Sequence, residues 1–206
     1  KASAKVQVVM SNSAKKLILA STSVYRRELL ERLRIPFDVI SPKVDESPLS
    51  GESTLGLALR LAKTKAAAVA KDHPEAWVIG SDQVADLCGA AIGKPGNFER
   101  AMAQLQLMRG ATVTFQTALC LMRGDVETTV NIPTEVTFRK LSDDVLEAYL
   151  HAEEPYDCAG SAKSEGLGIS LLESIKSDDP TALIGLPLIA LSGLLREAGF
   201  LIPAKK

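Results

Sequence analysis

The stretch LILASTSVYRRELL at residues 17–30 decides the fold of this chain. Its first four residues are apolar and predict a buried strand, and small hydroxyl residues at 21–23 follow directly. Arg26 and Arg27 then open a segment whose leucines recur at helical spacing. A strand that passes through a hydroxyl-rich loop into a helix start directs backbone N–H groups and the helix dipole at one place. Two guanidinium groups beside that place predict an anion site suited to phosphate, whereas a purely structural interpretation has Ser23 capping the helix and both arginines solvated.

The composition predicts a packed protein and argues against several kinds of partner. The chain has 206 residues, which fits one domain or two closely joined lobes. Hydrophobic residues make up 46% of it and charged residues 24%, a balance that is typical of a globular core. The net charge of −1 provides no general attraction to nucleic acid or to an anionic membrane, and no apolar run approaches the roughly 20 residues that span a bilayer. We therefore expect no nucleic-acid partner and no membrane partner.

The cysteines and histidines limit the chemistry and the compartment. Cys88, Cys120 and Cys158 are far apart and odd in number, so they form neither a metal-type spacing nor a disulfide framework. That usage favours a reducing cytosol, and we expect a cytoplasmic protein. His73 and His151 are the two histidines, which excludes a multi-histidine metal site and leaves a Ser-His-Asp triad poorly supported.

Residues 1–16 are interpreted as an N-terminal extension. They are rich in Ala, Ser and Lys and begin with Lys rather than Met, so we expect a segment that is disordered or was added by processing or cloning. The apolar run within it is too short for a signal peptide. Residues 17–206 are predicted to form a single domain.

The remaining pattern predicts a mixed α/β protein. Strands are predicted at residues 17–20, 37–41, 76–81, 113–122, 126–138 and 169–172, and residues 84–88 either continue the strand at 76–81 or return as another strand. Helices are predicted from Arg26 to about 33, from Thr54 as N-cap to about 71, from Asn97 as N-cap to about 108, from Ser142 to about 151 and over about 187–197. Because a long hairpin turning at residues 124–125 interrupts the α/β alternation, we predict a mixed sheet with flanking helices rather than a plain doubly wound fold.

Several polar residues lie where predicted strands end or loops begin, which is where α/β proteins bind ligands. Cations that hold phosphates and carboxylates that hold a divalent ion are what phosphoanhydride chemistry needs. The candidates at such positions are Ser21, Ser23, Arg26, Arg27, Glu46, Asp82 and Lys94, and Lys65 joins them from a predicted helix.

Asp82 is the sharpest single candidate, because it follows the apolar run WVIGS and should emerge at the end of a central strand. A carboxylate there either forms the turn or acts as a functional group that binds Mg²⁺ or activates water. Glu46 and Lys94 alone are equally compatible with exposed loop residues. Lys65 is compatible with a surface residue whose aliphatic stem packs on neighbouring alanines.

Other phosphate and hydrolase motifs are missing from the sequence. There is no Gly-x-x-x-x-Gly-Lys-Ser/Thr loop, and the Gly-Leu-Gly at 166–168 lacks the rest of a dinucleotide fingerprint. An acyl-transfer hydrolase that uses Ser21 or Ser81 would lack a credible histidine partner. P-loop, Rossmann and serine-hydrolase interpretations are therefore poor.

The chain resembles the Maf family of nucleoside triphosphate pyrophosphatases. Each matching piece is weak alone, but together they occur in family order and cover nearly the whole chain after residue 16. They are LILASTSVYRRELL at 17–30, VDE at 44–46, RLAKTKA at 60–66, IGSDQV at 79–84, GKP at 93–95, AGSAKSEGLGI at 159–169 and GLPL at 185–188.

The resemblance implies a cytosolic enzyme that hydrolyses a nucleoside triphosphate to the monophosphate and pyrophosphate. It implies Mg²⁺, Mn²⁺ or Co²⁺ as cofactor and a homodimer as a common state. The implied fold is an elongated mixed α/β structure with two lobes around a cleft, similar to that of the inosine triphosphate pyrophosphatases.

The resemblance also implies roles for individual residues. Asp82 matches the proton acceptor, and Glu46 matches the acidic residue paired with it in the metal and water site. The basic phosphate ligands match Arg26, Arg27, Lys65 and Lys94. The two lysines are counted as catalytic residues together with Asp82 and Glu46. The loop serines match Ser21 and Ser23.

Three positions predict which base is bound. Tyr25, Gln83 and Glu165 resemble the branch of the family that acts on 7-methyl-GTP, whereas the dTTP/UTP branch has Arg, Thr and Gln there. A 7-methylguanine ring is positively charged, so it is attracted to an aromatic face by about 1–2 kcal/mol when desolvated. Glu165 can accept from the guanine N1–H and 2-amino groups, and Gln83 can add an amide contact.

Two departures and two alternatives accompany this prediction. Val24 stands where the family usually has Pro, which predicts a less rigid loop, and Tyr25 replaces the usual Trp, which reduces the stacking area. One alternative is the dTTP/UTP activity of the same family. The other is a non-catalytic nucleotide-binding regulator of cell division, which would bind nucleotide without turnover.

Overall fold

Seven strands and five α-helices form within residues 15–203, the part of the chain that this computed structural model describes. The predicted extension at 1–16 lies outside the described residues apart from Lys15 and Lys16. The strands are β1 (Leu17–Ala20), β2 (Asp38–Ile40), β3 (Trp77–Leu87), β4 (Ala90–Ile92), β5 (Thr112–Arg123), β6 (Val126–Phe138) and β7 (Leu172–Ser177). The helices are α1 (Val24–Glu31), α2 (Thr54–Ala70), α3 (Phe98–Met108), α4 (Asp143–Glu153) and α5 (Leu188–Glu197).

The strands form one mixed sheet, as the sequence predicts. Their order is β2-β1-β3-β5-β6-β7, and β4 pairs with the end of β3. Strand β1 is parallel to β2 and β3, and the pairs from β3 onwards are antiparallel. The parallel pairs are joined through helices, whereas β5 and β6 are joined by the tight turn at Gly124, whose φ of 54° suits glycine.

The buried side chains form three groups, of which two lie on opposite faces of the sheet in a first lobe and the third forms a second lobe. In the first lobe, α2 packs on one face of the sheet, and α1 and α5 pack on the other. In the second lobe, α3 and α4 cover the far ends of β3, β5 and β6. Strand β3 runs through both lobes, because Val78 and Ile79 belong to the first and Ala85 belongs to the second.

The alternation of side chains along β3 aims neighbouring residues at opposite sides of the sheet. Gly80 and Asp82 face α2, whereas Ser81 and Gln83 face the segment that precedes α5. A Cβ atom at Gly80 would lie 2.7 Å from the backbone nitrogen of Ala66. Glycine therefore lets α2 pack directly on the strand, next to the position from which Asp82 projects.

Three details of the predicted elements are wrong. The first is the position of Asp82, because residues 84–88 continue the strand of residues 76–81, one of the two predicted alternatives, and the ladder to β5 runs without interruption from Val78 to Asp86. Asp82 consequently lies in the middle of a strand rather than at its end. Ser53 rather than Thr54 caps α2, and its hydroxyl accepts from the backbone N–H of Gly56 at 3.0 Å.

The third error concerns residues 169–172, which were predicted as a strand. Residues 169–171 belong to a 3₁₀ helix over Leu167–Leu171, and Leu172 is the first residue of β7. Strand β7 was not predicted because it is an edge strand whose residues are mostly exposed, so its sequence LESIKS lacks an apolar run. It pairs with β6 through a register shift between Thr137 and Phe138.

No helix within residues 15–203 combines the length and the apolar character that crossing a membrane would need.

Candidate active site

A cleft of about 830 Å³ between the two lobes brings together most of the predicted site residues. Leu57 and Leu61 line it from the first lobe, and Ile92 and Phe115 line it from the second. The predicted residues that line it are Ser21, Ser23, Tyr25, Arg26, Glu46, Lys65, Asp82, Gln83, Lys94 and Glu165.

Arg27 is the predicted site residue that does not reach the cleft. Its Nε donates to Glu31 Oε1 at 3.0 Å, and both side chains are exposed. Consecutive residues of a helix point about 100° apart, and of these two residues of α1 only Arg26 lines the cleft. Arg27 therefore does not line the cleft in this structure, and its role as a phosphate ligand stays a prediction.

Lys65 joins the two predicted catalytic carboxylates. Its Nζ lies 2.7 Å from Asp82 Oδ1 and 2.9 Å from Glu46 Oε1. The Lys65 and Asp82 side chains are 6% and 9% exposed, whereas that of Glu46 is 59% exposed. A buried ammonium is stable only when it is paired with negative groups. Lys65 of α2 is paired in this way and holds the carboxylates of Asp82 and Glu46 at one point.

The second oxygen of Asp82 is available to a ligand. Within residues 15–203, Asp82 Oδ2 has no hydrogen-bond partner, and the side chain lines the cleft. A carboxylate with one oxygen fixed and the other directed at a cavity is suited to accept a proton or to bind a cation.

Arg26 is fixed by the backbone of the segment that precedes α5. Its Nε donates to the Gly185 carbonyl at 2.9 Å. The Ser81 hydroxyl lies 3.1 Å from the same carbonyl and 2.8 Å from the carbonyl of Ala118. Gly185 has a φ of 129°, which a residue with a side chain rarely adopts. Burial lowers the pKa of Arg26, while the charges of Asp82 and Glu46 oppose that effect.

The loop serines shape the turn between β1 and α1. The Ser21 hydroxyl accepts from the backbone N–H of Ser23 at 3.1 Å, and the Ser23 hydroxyl accepts from that of Arg26 at 3.3 Å. Ser23 is the N-cap of α1, so the structural interpretation of this residue is confirmed. Both serines also line the cleft beside the helix start, where an anion is favoured.

The residues expected to contact the base lie along the same cleft. Gln83 Nε2 donates to the carbonyls of Ala182 and Leu183 at 3.0 and 2.9 Å and lies 3.1 Å from the Thr117 hydroxyl. Its two amide hydrogens are thereby used by the protein, which leaves Oε1 as the group that can face a ligand. Glu165 is exposed at the rim of the cleft.

Four residues of the site were not predicted from the sequence. The Gly185 carbonyl accepts from Arg26, and the Ser81 hydroxyl lies beside that carbonyl, as described above. Tyr25 is contacted by Asp157, whose Oδ2 accepts from the tyrosine hydroxyl at 3.2 Å, and by Lys163, whose Nζ lies 5.8 Å from the ring centroid. Gly185 and Lys163 fall within the quoted pieces GLPL and AGSAKSEGLGI, but the residue types alone indicate no contact with α1.

The carboxylates of the cleft fit a divalent ion only in part. Glu46 and Asp82 converge on one point, where the Lys65 ammonium lies. No group of three or more His, Cys, Asp or Glu side chains that could hold a metal occurs among the described residues. Mg²⁺ is commonly held by one or two carboxylates together with substrate phosphates, and this donor set fits that pattern.

The charges of the cleft are nearly balanced. The cations that line it within the described residues are Arg26, Lys65 and Lys94, and the carboxylates are Glu46, Asp82, Asp157 and Glu165. A triphosphate would therefore require further positive charge from a divalent ion.

Comparison with known proteins identifies close relatives. A family model described as "Maf-like protein" matches residues 16–198. The 7-methyl-GTP pyrophosphatase of Cupriavidus metallidurans is 61% identical in an alignment that covers 92% of this chain and 96% of the relative. The proteins of the same name from Ralstonia nicotianae and Burkholderia thailandensis are each 60% identical, with 89% and 92% of this chain and 96% and 91% of the relatives covered.

Among solved structures, that of the Staphylococcus aureus Ham1 protein has a TM-score of 0.45 and 15% identity. The match covers 61% of this chain and 73% of that chain.

Proposed function

The chain belongs to the Maf family, and from this premise we propose that it hydrolyses 7-methyl-GTP between the α- and β-phosphates, releasing 7-methyl-GMP and pyrophosphate. The relatives named 7-methyl-GTP pyrophosphatase support the activity, since they align over nearly the whole chain. The observation that carries the proposal for the chemistry is the Glu46–Lys65–Asp82 cluster, which faces the cleft beside Arg26.

Asp82 is proposed as the proton acceptor. Lys65 fixes its Oδ1, so the free Oδ2 can take a proton from a water molecule that attacks the α-phosphorus. The P–O bond to the β-phosphate then breaks, and the electron pair leaves with pyrophosphate. Because Lys65 holds Asp82 in place, the carboxylate is oriented toward the attacking water, which a mobile carboxylate would not be.

Arg26, Lys65 and Lys94 are proposed to stabilise the charge that develops on the departing pyrophosphate. Arg26 is fixed through Nε, so its terminal amino groups can bind phosphate oxygens as a planar fork. Lys94 lies in the exposed turn after β4 and reaches the cleft from the second lobe. Fixed cations of this kind act most strongly where charge appears during the reaction.

A divalent ion, Mg²⁺, Mn²⁺ or Co²⁺, is proposed as the cofactor, held by Glu46 and Asp82 together with phosphate oxygens. Such an ion would neutralise phosphate charge that the three cations of the cleft cannot balance. Ser21 and Ser23 are proposed to set the start of α1 against the phosphates.

Tyr25, Glu165 and Gln83 are proposed to recognise the base. Tyr25 offers an aromatic face to the positively charged ring, and Glu165 and Gln83 Oε1 offer acceptors to the N1–H and 2-amino donors of guanine. Thymine and uracil present one ring N–H and no amino group, so the same acceptors suit them less well.

We further propose a single domain over residues 17–206, a cytoplasmic location and a homodimer. The two lobes share the long strands β3, β5 and β6, which supports one folding unit. Cys88, Cys120 and Cys158 are unpaired, as expected in a reducing compartment. Size-exclusion chromatography with light scattering measures the oligomeric state.

The experiment that tests the function is a substrate panel with Mn²⁺ in which pyrophosphate release is measured. We expect kcat/KM for 7-methyl-GTP to exceed that for GTP, dTTP and UTP by about tenfold or more, since a cation–π contact of 1–2 kcal/mol has that effect. A preference for dTTP and UTP would indicate the other branch of the family. Tight nucleotide binding without pyrophosphate release would indicate a regulator.

A further inference from the structure

We propose that Asp157 is a specificity-determining residue that makes the base end of the cleft select nucleobases with a positive charge. This inference rests on the proposed hydrolysis of 7-methyl-GTP. It states that the site recognises the positive charge of the methylated ring rather than the added methyl group.

The first support is the contact between Asp157 and Tyr25. The tyrosine hydroxyl donates to Asp157 Oδ2 at 3.2 Å, and both residues line the cleft. A phenol that donates to a carboxylate is polarised toward the phenolate, which enriches the ring in electrons. The face of such a ring attracts a cation more strongly than that of an unassisted tyrosine.

The second support is that the Tyr25 ring already holds a cation. The Lys163 ammonium lies 5.8 Å from the ring centroid, within the distance at which a cation–π contact is significant. The same ammonium is paired with Glu153 Oε1 at 3.1 Å, so its own charge is compensated. The ring is thus a cation acceptor in the structure, and the Lys163 ammonium is held by Glu153 as well as by the ring.

The third support is the distribution of charge. Neither Asp157 nor Glu165 has an ion-pair partner within residues 15–203, and both line the cleft at the end where Tyr25 lies. Burial raises the pKa of the neighbouring Cys158 thiol to about 12, and the charge of Asp157 is the next largest cause. The two carboxylates without ion-pair partners make the local potential negative. A neutral base gains nothing from that potential, whereas a cationic base does.

The test compares two nucleotides of the same shape. 7-Methyl-7-deaza-GTP carries the methyl group on carbon, so it has nearly the outline of 7-methyl-GTP and no positive charge on the ring. We expect the unmodified protein to hydrolyse 7-methyl-GTP with a kcat/KM about ten times that for the deaza analogue. In Asp157→Asn we expect this ratio to fall about fivefold, because the removed charge affects the cationic base most.

The ratio of the two kcat/KM values cancels any effect of the substitution that is common to both nucleotides. Such effects are weaker repulsion of the triphosphate and partial unfolding of the variant. Asp157→Glu should restore most of the preference, because it keeps the charge. Tyr25→Phe, which keeps the ring and loses the hydroxyl, should lower the ratio about twofold. The matched control is Asp72→Asn, which removes an exposed carboxylate beyond the end of α2 and should leave the ratio unchanged.

Hydrolysis of 7-methyl-GTP with the same ratio in Asp157→Asn as in the unmodified protein would overturn this inference and leave the proposed function intact. If the unmodified protein hydrolyses neither nucleotide, the proposed function fails. Calorimetric binding of 7-methyl-GMP and of its 7-deaza analogue then tests Asp157 alone. A preference for the cationic monophosphate that Asp157→Asn removes would support the inference, and equal binding would overturn it.

Discussion

Asp82→Asn will lower kcat for pyrophosphate release from 7-methyl-GTP by about three orders of magnitude. The substitution keeps the shape of the side chain, and the amide oxygen can still accept the 2.7 Å hydrogen bond from Lys65. It removes the carboxylate that takes the proton of the attacking water. Because that interaction forms in the reaction and not in substrate binding, kcat will fall far more than KM changes.

The control for this prediction lies on the same strand. Asp86 faces the same side of β3 as Asp82, where it accepts from the Thr54 hydroxyl and from the backbone N–H of Gly89, but it does not line the cleft. Asp86→Asn should therefore keep kcat within about threefold of the unmodified protein, because it removes no group that lines the cleft. Thermal unfolding of both variants shows whether lost activity reflects lost structure. Activity of Asp82→Asn within tenfold of the unmodified protein would contradict the assigned role.

Lys65→Met will lower kcat/KM by about two to three orders of magnitude, the second large effect that we expect. Methionine can fill the space of the lysine stem in the first lobe, so the packing of α2 on β3 is retained. The ammonium that lies between Asp82 and Glu46 is lost, at distances of 2.7 and 2.9 Å. Both the positioning of Asp82 and a positive charge near the phosphates then disappear.

A second measurement on Lys65→Met does not depend on turnover. Two carboxylates that have lost their shared ammonium repel each other, and a divalent cation relieves that repulsion. Mn²⁺ binding without nucleotide, followed by electron paramagnetic resonance, should therefore be tighter in Lys65→Met than in the unmodified protein. Lys63→Met is the matched control, because Lys63 lies on the exposed face of α2 and pairs with Glu127 at 2.9 Å. Equal Mn²⁺ affinity in all three proteins would contradict a role for Lys65 as the counter-ion of both carboxylates.

Local sequence patterns were enough to predict the mixed sheet. The predicted bounds of a strand were wrong where pairing with a distant strand determines them. The two long predicted strands and the turn at residues 124–125 indicate the β5–β6 hairpin, which the structure confirms. Asp82 was expected after a strand, because a carboxylate within a buried run is rare. It is tolerated in β3 because Lys65, 17 residues earlier, neutralises it from α2.

Contacts between distant segments account for what the sequence analysis missed in the site. Arg26 and Arg27 look equivalent in the sequence. The orientation of α1 places Arg26 at the Gly185 carbonyl and leaves Arg27 paired with Glu31. Asp157 follows Tyr25 by 132 residues, and an acidic residue in a loop has no local feature that indicates its partner. Resemblance to a family transfers the residues of known motifs, so it could not indicate Asp157 either.

The central claim is that water attacks the α-phosphorus of 7-methyl-GTP in this cleft, and hydrolysis in ¹⁸O-labelled water with mass spectrometry of the products tests it most directly. The account predicts that each turnover places one ¹⁸O atom in 7-methyl-GMP and none in pyrophosphate. Label in pyrophosphate, or release of orthophosphate in its place, would show attack at another phosphorus and would contradict the account.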